Sequence, residues 1–186
     1  MEIDNEITVL VKTDYDALQK ELYEKDFKIE EEYLVNDVYM LDERVDISNM
    51  SYLDILKNCI LVRDIVGFEK QLLYKYKKYN NNGDILEQGK VKCPIEDINK
   101  AIKFMEAIQY NTISDNCIVY KNNKNKLAIE LVNDKYICIE MESNENDNKN
   151  IDELKQDLLS YNLPIDETNF FVKKAQIELK EVLEND

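Results

Sequence analysis

The sequence has no histidine. That one absence removes an imidazole general base, a Ser-His-Asp triad, a Cys-His dyad and a His-ligated zinc site. Glycine and proline are scarce, at 3 and 2 residues, and no glycine-rich run occurs. Rossmann and P-loop phosphate cradles are therefore disfavoured. Arginine occurs only as Arg44 and Arg63; the other bases are lysines. No apolar run approaches the ~20 residues of a membrane span. The opening Met1-Glu2-Ile3-Asp4 is acidic rather than signal-like. There is no Cys-x-x-Cys pair: Cys59, Cys93, Cys117 and Cys138 are widely spaced in apolar, strand-like stretches. They read as buried free thiols of a cytoplasmic protein.

What the chain does have is acid. Its 39 Asp and Glu outweigh 24 Lys and Arg, a formal net charge of −15 over 186 residues. A surface of that sign argues against nucleic acid and anionic membrane as partners, since both need phosphates to be neutralised. Any catalysis must use carboxylates, lysines, tyrosines or a metal held by oxygens. The length suits a single domain that buries its own core without disulfides.

Hydrophobic periodicity orders the chain. Glu6 to Lys12 alternates with period two, Ile7, Val9 and Val11 pointing one way, and predicts a strand. Thr13 then reads as an N-cap for a helix carrying Leu18 and Leu22 and ending near Asp26. Lys28 to Leu41 predicts one long strand or two short ones; Asp42 to Ser51 a loop; Tyr52 to Lys57 a short helix. Cys59 to Val66, Lys70 to Tyr79 and Asp84 to Cys93 predict strands, the last two joined by a hairpin turn at Asn80-Asn81-Asn82-Gly83. Pro94 is expected to open a helix bearing Ile95, Ile98, Ile102, Met105 and Ile108. Thr112 to Lys121, Leu127 to Val132 and Tyr136 to Glu142 form a second meander, with turns at Asn122 to Asn125 and at Asn133-Asp134. Ser143 to Asn150 is a polar linker. Ile151 to Tyr161 is helical, Pro164 breaks it, and Glu167 to Leu183 forms the last helix.

Short hairpin connections predict an α+β fold with a largely antiparallel sheet. Several strands carry charge on one face and apolar residues on the other: Lys75 and Lys77 against Tyr74 and Tyr76, Glu130 against Ile129 and Leu131, Glu140 and Glu142 against Ile139 and Met141. A one-sided sheet in water explains this, and so does a closed barrel with a polar lumen wrapped by helices.

The order of elements and their residues resemble one family. Glu6-Ile7-Thr8-Val9-Leu10 stands where that family opens with Glu-x-Glu-x-Lys, and Ile60-Leu61-Val62-Arg63 matches its arginine strand. Leu72-Leu73-Tyr74-Lys75 matches its Leu-Thr-Tyr-Lys strand, and Glu106-Ala107-Ile108-Gln109-Tyr110 its helix end. Ile129-Glu130-Leu131 resembles its Leu-Asp-Glu strand, and Cys138-Ile139-Glu140 its closing Glu-Ile-Glu. The chain thus resembles the CYTH superfamily, the triphosphate tunnel metalloenzymes that include class IV adenylyl cyclases and thiamine triphosphatases. It departs from the pattern at Thr8, Leu10, Asp115, Asn116 and Cys138, where a carboxylate or a base is replaced.

The resemblance implies a single CYTH-like domain over 1–186, a barrel of about eight strands, with the C-terminal helices 151–184 packed on it. It implies phosphate-binding Arg63, Lys75 and Lys77, and Glu6, Glu130 and Glu140 as ligands of Mg²⁺ or Mn²⁺. Such a site neutralises a triphosphate with bases while the metal activates water or stabilises the leaving phosphate. The function implied is binding of a triphosphate-containing small molecule with a divalent metal, with weak hydrolysis. Hydrolysis is favoured over cyclisation, because no residue here would align a 3′-hydroxyl. The alternative is a catalytically dead tunnel serving a regulatory or protein-interaction role.

Overall fold

A computed structural model describes the backbone of residues 2–3, 5–79, 85–124, 127–133, 135–143 and 149–185. It describes the side chains of residues 5–76, 89–113, 127–133, 135–143 and 149–180. The elements in chain order are β1 (Glu2–Ile3), β2 (Glu6–Leu10), α1 (Tyr15–Glu24), β3 (Ile29–Asp42), α2 (Tyr52–Asn58), β4 (Ile60–Ile65), β5 (Glu69–Tyr79), β6 (Ile85–Pro94), α3 (Ile98–Ala107), β7 (Tyr110–Lys124), β8 (Leu127–Val132), β9 (Tyr136–Glu142), α4 (Ile151–Ser160) and α5 (Lys174–Asn185). The fold is α+β, and among the described residues these strands pair antiparallel. Among the described residues no helix is long and apolar enough to cross a membrane.

The chain forms two compact units. The first comprises Met1–Ile3, Val35–Ile118 and Ala175–Asp186. Its strands lie in the order β1-β6-β5-β4-β3. One face of this sheet presents Met40 and Val62 to Ala101 and Met105 of α3. The other presents Tyr39, Leu41, Leu61 and Leu73 to Ile55 of α2 and Leu179 of α5. The β4–β5 turn needs its glycine for backbone reasons: Gly67 has φ +85, while a Cβ there would meet nothing within 4 Å. Gly89 is needed for space, because the Tyr76 ring lies 2.5 Å from where its Cβ would stand.

The second unit comprises Asp4–Leu34 and Val119–Lys174. Its strands lie in the order β7-β8-β9-β2. Ile7, Val9, Leu127, Ile129, Ile139 and Met141 cover one face and pack on Leu18 and Leu22 of α1 and Leu154 and Leu158 of α4. These two helices show the expected three- and four-residue spacing on the buried side.

Several boundaries differ from the sequence reading, each for a local reason. Asp14, not Thr13, caps α1, its Oδ1 accepting from the Ala17 N–H at 2.8 Å. Pro94 ends β6 opposite Gln71 rather than opening a helix. Asp97 caps α3 instead, accepting from the Lys100 N–H at 3.0 Å. Asn122 to Lys124 continue β7, paired with Ile129, Ala128 and Leu127, so the connection to β8 is shorter than expected. The hairpin residues 80–83 lie outside the described residues, although β5 and β6 pair antiparallel up to Tyr79 and Ile85.

The largest difference lies before α5. Glu167 to Lys173 is not helical. The chain from Leu163 to Val172 instead follows the free edge of β2. The Lys12 N–H donates to the Pro164 carbonyl at 2.7 Å, and the Asp166 N–H to the Leu10 carbonyl at 2.8 Å. The Thr8 N–H donates to the Phe170 carbonyl and the Val172 N–H to the Thr8 carbonyl, both at 3.0 Å. Edge strands demand such cover for their open donors and acceptors, and here that demand overrides helix propensity. Thr8, beside this segment, is 3% exposed between fully buried Ile7 and Val9.

Leu158→Ala removes a fully buried side chain beneath β9 and is expected to destabilise the protein by about 2–5 kcal/mol. Asn150→Ala removes the α4 capping box, in which Asn150 accepts from Glu153 and Glu153 accepts from the Asn150 N–H, at a cost of about 1 kcal/mol. Urea unfolding midpoints should fall in that order, without a change in slope.

Candidate functional site

The register of the second unit places its acids on one face. Glu6 pairs with Glu142, Thr8 with Glu140 and Leu10 with Cys138. Cys138 in turn pairs with Glu130, and Glu140 with Ala128. Since side chains alternate across a strand, Glu6, Glu130 and Glu140 share the face opposite the Ile7–Ile139–Ile129 core. Three adjacent strands thus bring together the acids singled out in the sequence. Glu130 is fully buried and Glu140 is 13% exposed.

A lysine absent from the sequence reading stands at their focus. The Lys174 Nζ forms ion pairs with Glu130 Oε2 and Glu140 Oε2 and donates a hydrogen bond to the latter. The edge pairing of Phe170 to Val172 along β2 delivers Lys174 to this face, and α5 begins there. Burial alone would lower the lysine pKa. The Glu130, Glu140 and Glu6 carboxylates outweigh it and hold the ammonium well above its usual value. With its folded pKa raised, Lys174 lends its full stabilisation below the ordinary lysine pKa of 10.5 and loses it only as pH climbs through the folded value. Its sequence signal was weak: the second lysine of the Lys173-Lys174 pair that follows the apolar run Phe170-Phe171-Val172.

A resident Mg²⁺ or Mn²⁺ makes a definite demand on such a face. Such an ion wants several oxygens in octahedral array around one point. The oxygens converge, but on an ammonium. Two positions where the resemblance has acids are neutral and buried, Thr8 at 3% and Cys138 at 0% exposure. Among the described residues, no group of three acidic or cysteine side chains is placed to hold a metal ion. As arranged, the set does not fit a resident divalent ion.

In the first unit, Arg63 lies between Asp37 on β3 and Gln71 on β5. Its Nε and Nη2 donate to the two Asp37 carboxylate oxygens at 2.7 and 2.5 Å, a bidentate pair in which Asp37 is 2% exposed. Desolvation would lower the guanidinium pKa; the Asp37 carboxylate more than offsets it and drives it up. Beside them the Tyr39 hydroxyl donates to Glu178 Oε2 at 2.6 Å. The arginine chosen as a phosphate ligand thus has an acidic partner already. The missed signal was Asp37 itself, one acid in the apolar run Tyr33 to Tyr39.

Lys75 is exposed on the Leu61–Leu73 face and stands directly opposite Lys90 of β6; Lys92 stands opposite Leu73 on the same face. The side chain of Lys77 lies outside the described residues, as do those of Asp115, Asn116 and Cys117; Lys77 is paired with Gln88. Of the described cysteines, Cys59 and Cys138 are buried as expected, but Cys93 is exposed. Cys93 lies near the end of β6, in a run exposed from Val91 to Pro94.

No family model and no curated protein matches this sequence. Solved structures do match. A candidate adenylate cyclase from Vibrio parahaemolyticus superposes with a TM-score of 0.62 at 12% identity, covering 98% of this chain and 98% of that one. A candidate adenylyl cyclase from Hippeastrum with a dominant triphosphatase activity gives 0.52 at 13% identity, covering 89% and 90%. A chain of the Schizosaccharomyces pombe Mediator head module gives 0.52 at 7% identity, covering 86% and 92%. The chain therefore has the CYTH-like fold expected from its resemblance, and its fold alone is what these likenesses establish.

Asp37→Ala strands a half-buried guanidinium and is expected to cost about 3–5 kcal/mol. Asp37→Leu with Arg63→Met should cost much less than the two single changes together, a coupling read from a double-mutant cycle of urea unfolding. Burial raises the Cys59 thiol pKa to about 12. Mass-mapped maleimide labelling at pH 8 should therefore modify Cys93 in folded protein and leave Cys59 unmodified until denaturant is added.

Proposed function

We propose that this protein is a CYTH-like module that binds a triphosphate-containing small molecule, with triphosphate hydrolysis as a slow side activity. The observation that carries the proposal is the lysine face of the first unit. Lys75 and Lys90 stand directly opposite each other on β5 and β6, where Cβ atoms are ~4.5–5.5 Å apart and like charges repel. A polyphosphate placed against them takes several charge-assisted hydrogen bonds. Lys92 extends the row. Arg63, held by Asp37, serves this reading by ordering β3, β4 and β5 rather than by direct contact.

Mg²⁺ or Mn²⁺ enters as the counter-ion that accompanies the ligand's phosphates, because the Glu130–Glu140 pair already holds Lys174. The proposal includes the closed barrel and the single domain over 1–186 that the resemblance implies, and a cytoplasmic setting. The likeness to a Mediator head chain favours a second reading, a protein-interaction module that binds no small molecule, since that fold serves in an assembly there.

Calorimetric titration with inorganic triphosphate, ATP and thiamine triphosphate, at constant ionic strength and with or without Mg²⁺, tests the proposal. Lys75→Ala and Lys90→Ala should each weaken binding about tenfold or more. Phosphate release, where detectable, should need Mg²⁺ or Mn²⁺ and fall in Lys75→Ala. Absence of binding, or affinity unchanged in both variants, replaces the proposal with the interaction-module reading.

A further inference from the structure

We propose that Lys174 is a built-in counter-cation. Its ammonium occupies the place on the carboxylate face of the second unit that a divalent ion would otherwise take, and it excludes such an ion from Glu130 and Glu140. This deepens the reading above by assigning which cation occupies the carboxylate face of the second unit, and it rests on that reading only for the identity of the site.

Three independent observations support it. The first is contact: Nζ pairs with one oxygen of Glu130 and one of Glu140, the two acids that sequence reading had assigned to metal. Glu6, on the same face, adds its attraction to the ammonium. The second is ligand count. A divalent ion of this kind needs several oxygens in octahedral array. Here two acids of the resembled pattern are the neutral, buried Thr8 and Cys138, and one oxygen of each of Glu130 and Glu140 is engaged by the ammonium. The third is delivery. Lys174 is not a long side chain that happens to fold over the sheet: the residues just before it are pinned to β2 by the Phe170, Thr8 and Val172 backbone hydrogen bonds. Glu130 has no exposure at all, so a metal could reach it only by displacing an ammonium whose backbone is fixed.

The fixed tether makes the exclusion strong. An amine attached to the same fold binds without losing translational freedom, whereas Mg²⁺ must also shed tightly held water. The protein thereby gains a carboxylate face closed to free divalent metal, and metal enters only in company with the ligand's phosphates.

The test uses the full chain and Mn²⁺ or Mg²⁺ alone, without triphosphate, so that its failure is distinct from failure of ligand binding at Lys75 and Lys90. Thermal unfolding is followed at ionic strength held constant with NaCl, and Mn²⁺ binding is measured by electron paramagnetic resonance. Wild type should show no metal-dependent rise in Tm beyond the salt control and no tight Mn²⁺ site. Lys174→Met keeps most of the aliphatic stem and removes the charge. It should melt lower without metal, recover by about 5 °C or more at saturating Mn²⁺, and bind one Mn²⁺. Adding Glu130→Gln and Glu140→Gln to that variant should abolish the gained site. If Lys174→Met fails to fold without metal, refolding in Mn²⁺ but not in matched NaCl is the expected result. The proposal is overturned by tight Mn²⁺ binding to wild type that Glu130→Gln and Glu140→Gln remove, by a folded Lys174→Met that gains no metal, or by one that stays unfolded at every Mn²⁺ concentration.

Discussion

Two carboxylates and one ammonium buried together constrain the second unit more than any other contact. Glu130 has no exposure and Lys174 little. Removing either partner leaves a charge without water, a cost of about 3–5 kcal/mol that rivals the whole stability of many domains. Such a cluster adds little net stability over a well-packed apolar substitute, because desolvation offsets much of the attraction. Its value is positional. It requires β2, β8 and β9 in one register and requires the chain after Val172 to arrive at one point. The edge hydrogen bonds of Thr8 and the start of α5 at Lys174 satisfy both demands at once.

The first unit handles charge in the opposite way. Its buried arginine is closed off by a bidentate acid from the neighbouring strand, and Lys75 and Lys92 are exposed on one sheet face. In a chain with a formal net charge of −15, Lys75, Lys90 and Lys92 gather on one sheet face, the feature on which the proposed anion binding rests.

The fold was legible where periodicity decided it. The Leu127 to Val132 and Tyr136 to Glu142 strands match their expected bounds, because alternating burial on α1 and α4 leaves one register. The CYTH-like architecture followed from the order of elements. The helix predicted from Glu167 failed because a bare strand edge needed hydrogen-bond partners, a tertiary demand that local sequence does not display. The carboxylates were found by their alignment on strands, but their partner was hidden: Lys174 lies 34 residues from Glu140 along the chain, and only pairing along β2 brings it there. Asp37 was missed for the same reason, being set opposite Arg63 by sheet register across 26 residues.

The central claim is that the chain supplies its own cation where its resemblance implies a metal. A crystal structure of the wild-type protein grown with Mn²⁺ and inorganic triphosphate, with anomalous scattering collected at the manganese edge, tests it most directly. The account predicts the Lys174 ammonium between Glu130 and Glu140, no anomalous peak at those carboxylates, and manganese only in company with phosphate. A manganese peak coordinated by Glu130 and Glu140, with the Lys174 side chain turned away, would contradict it.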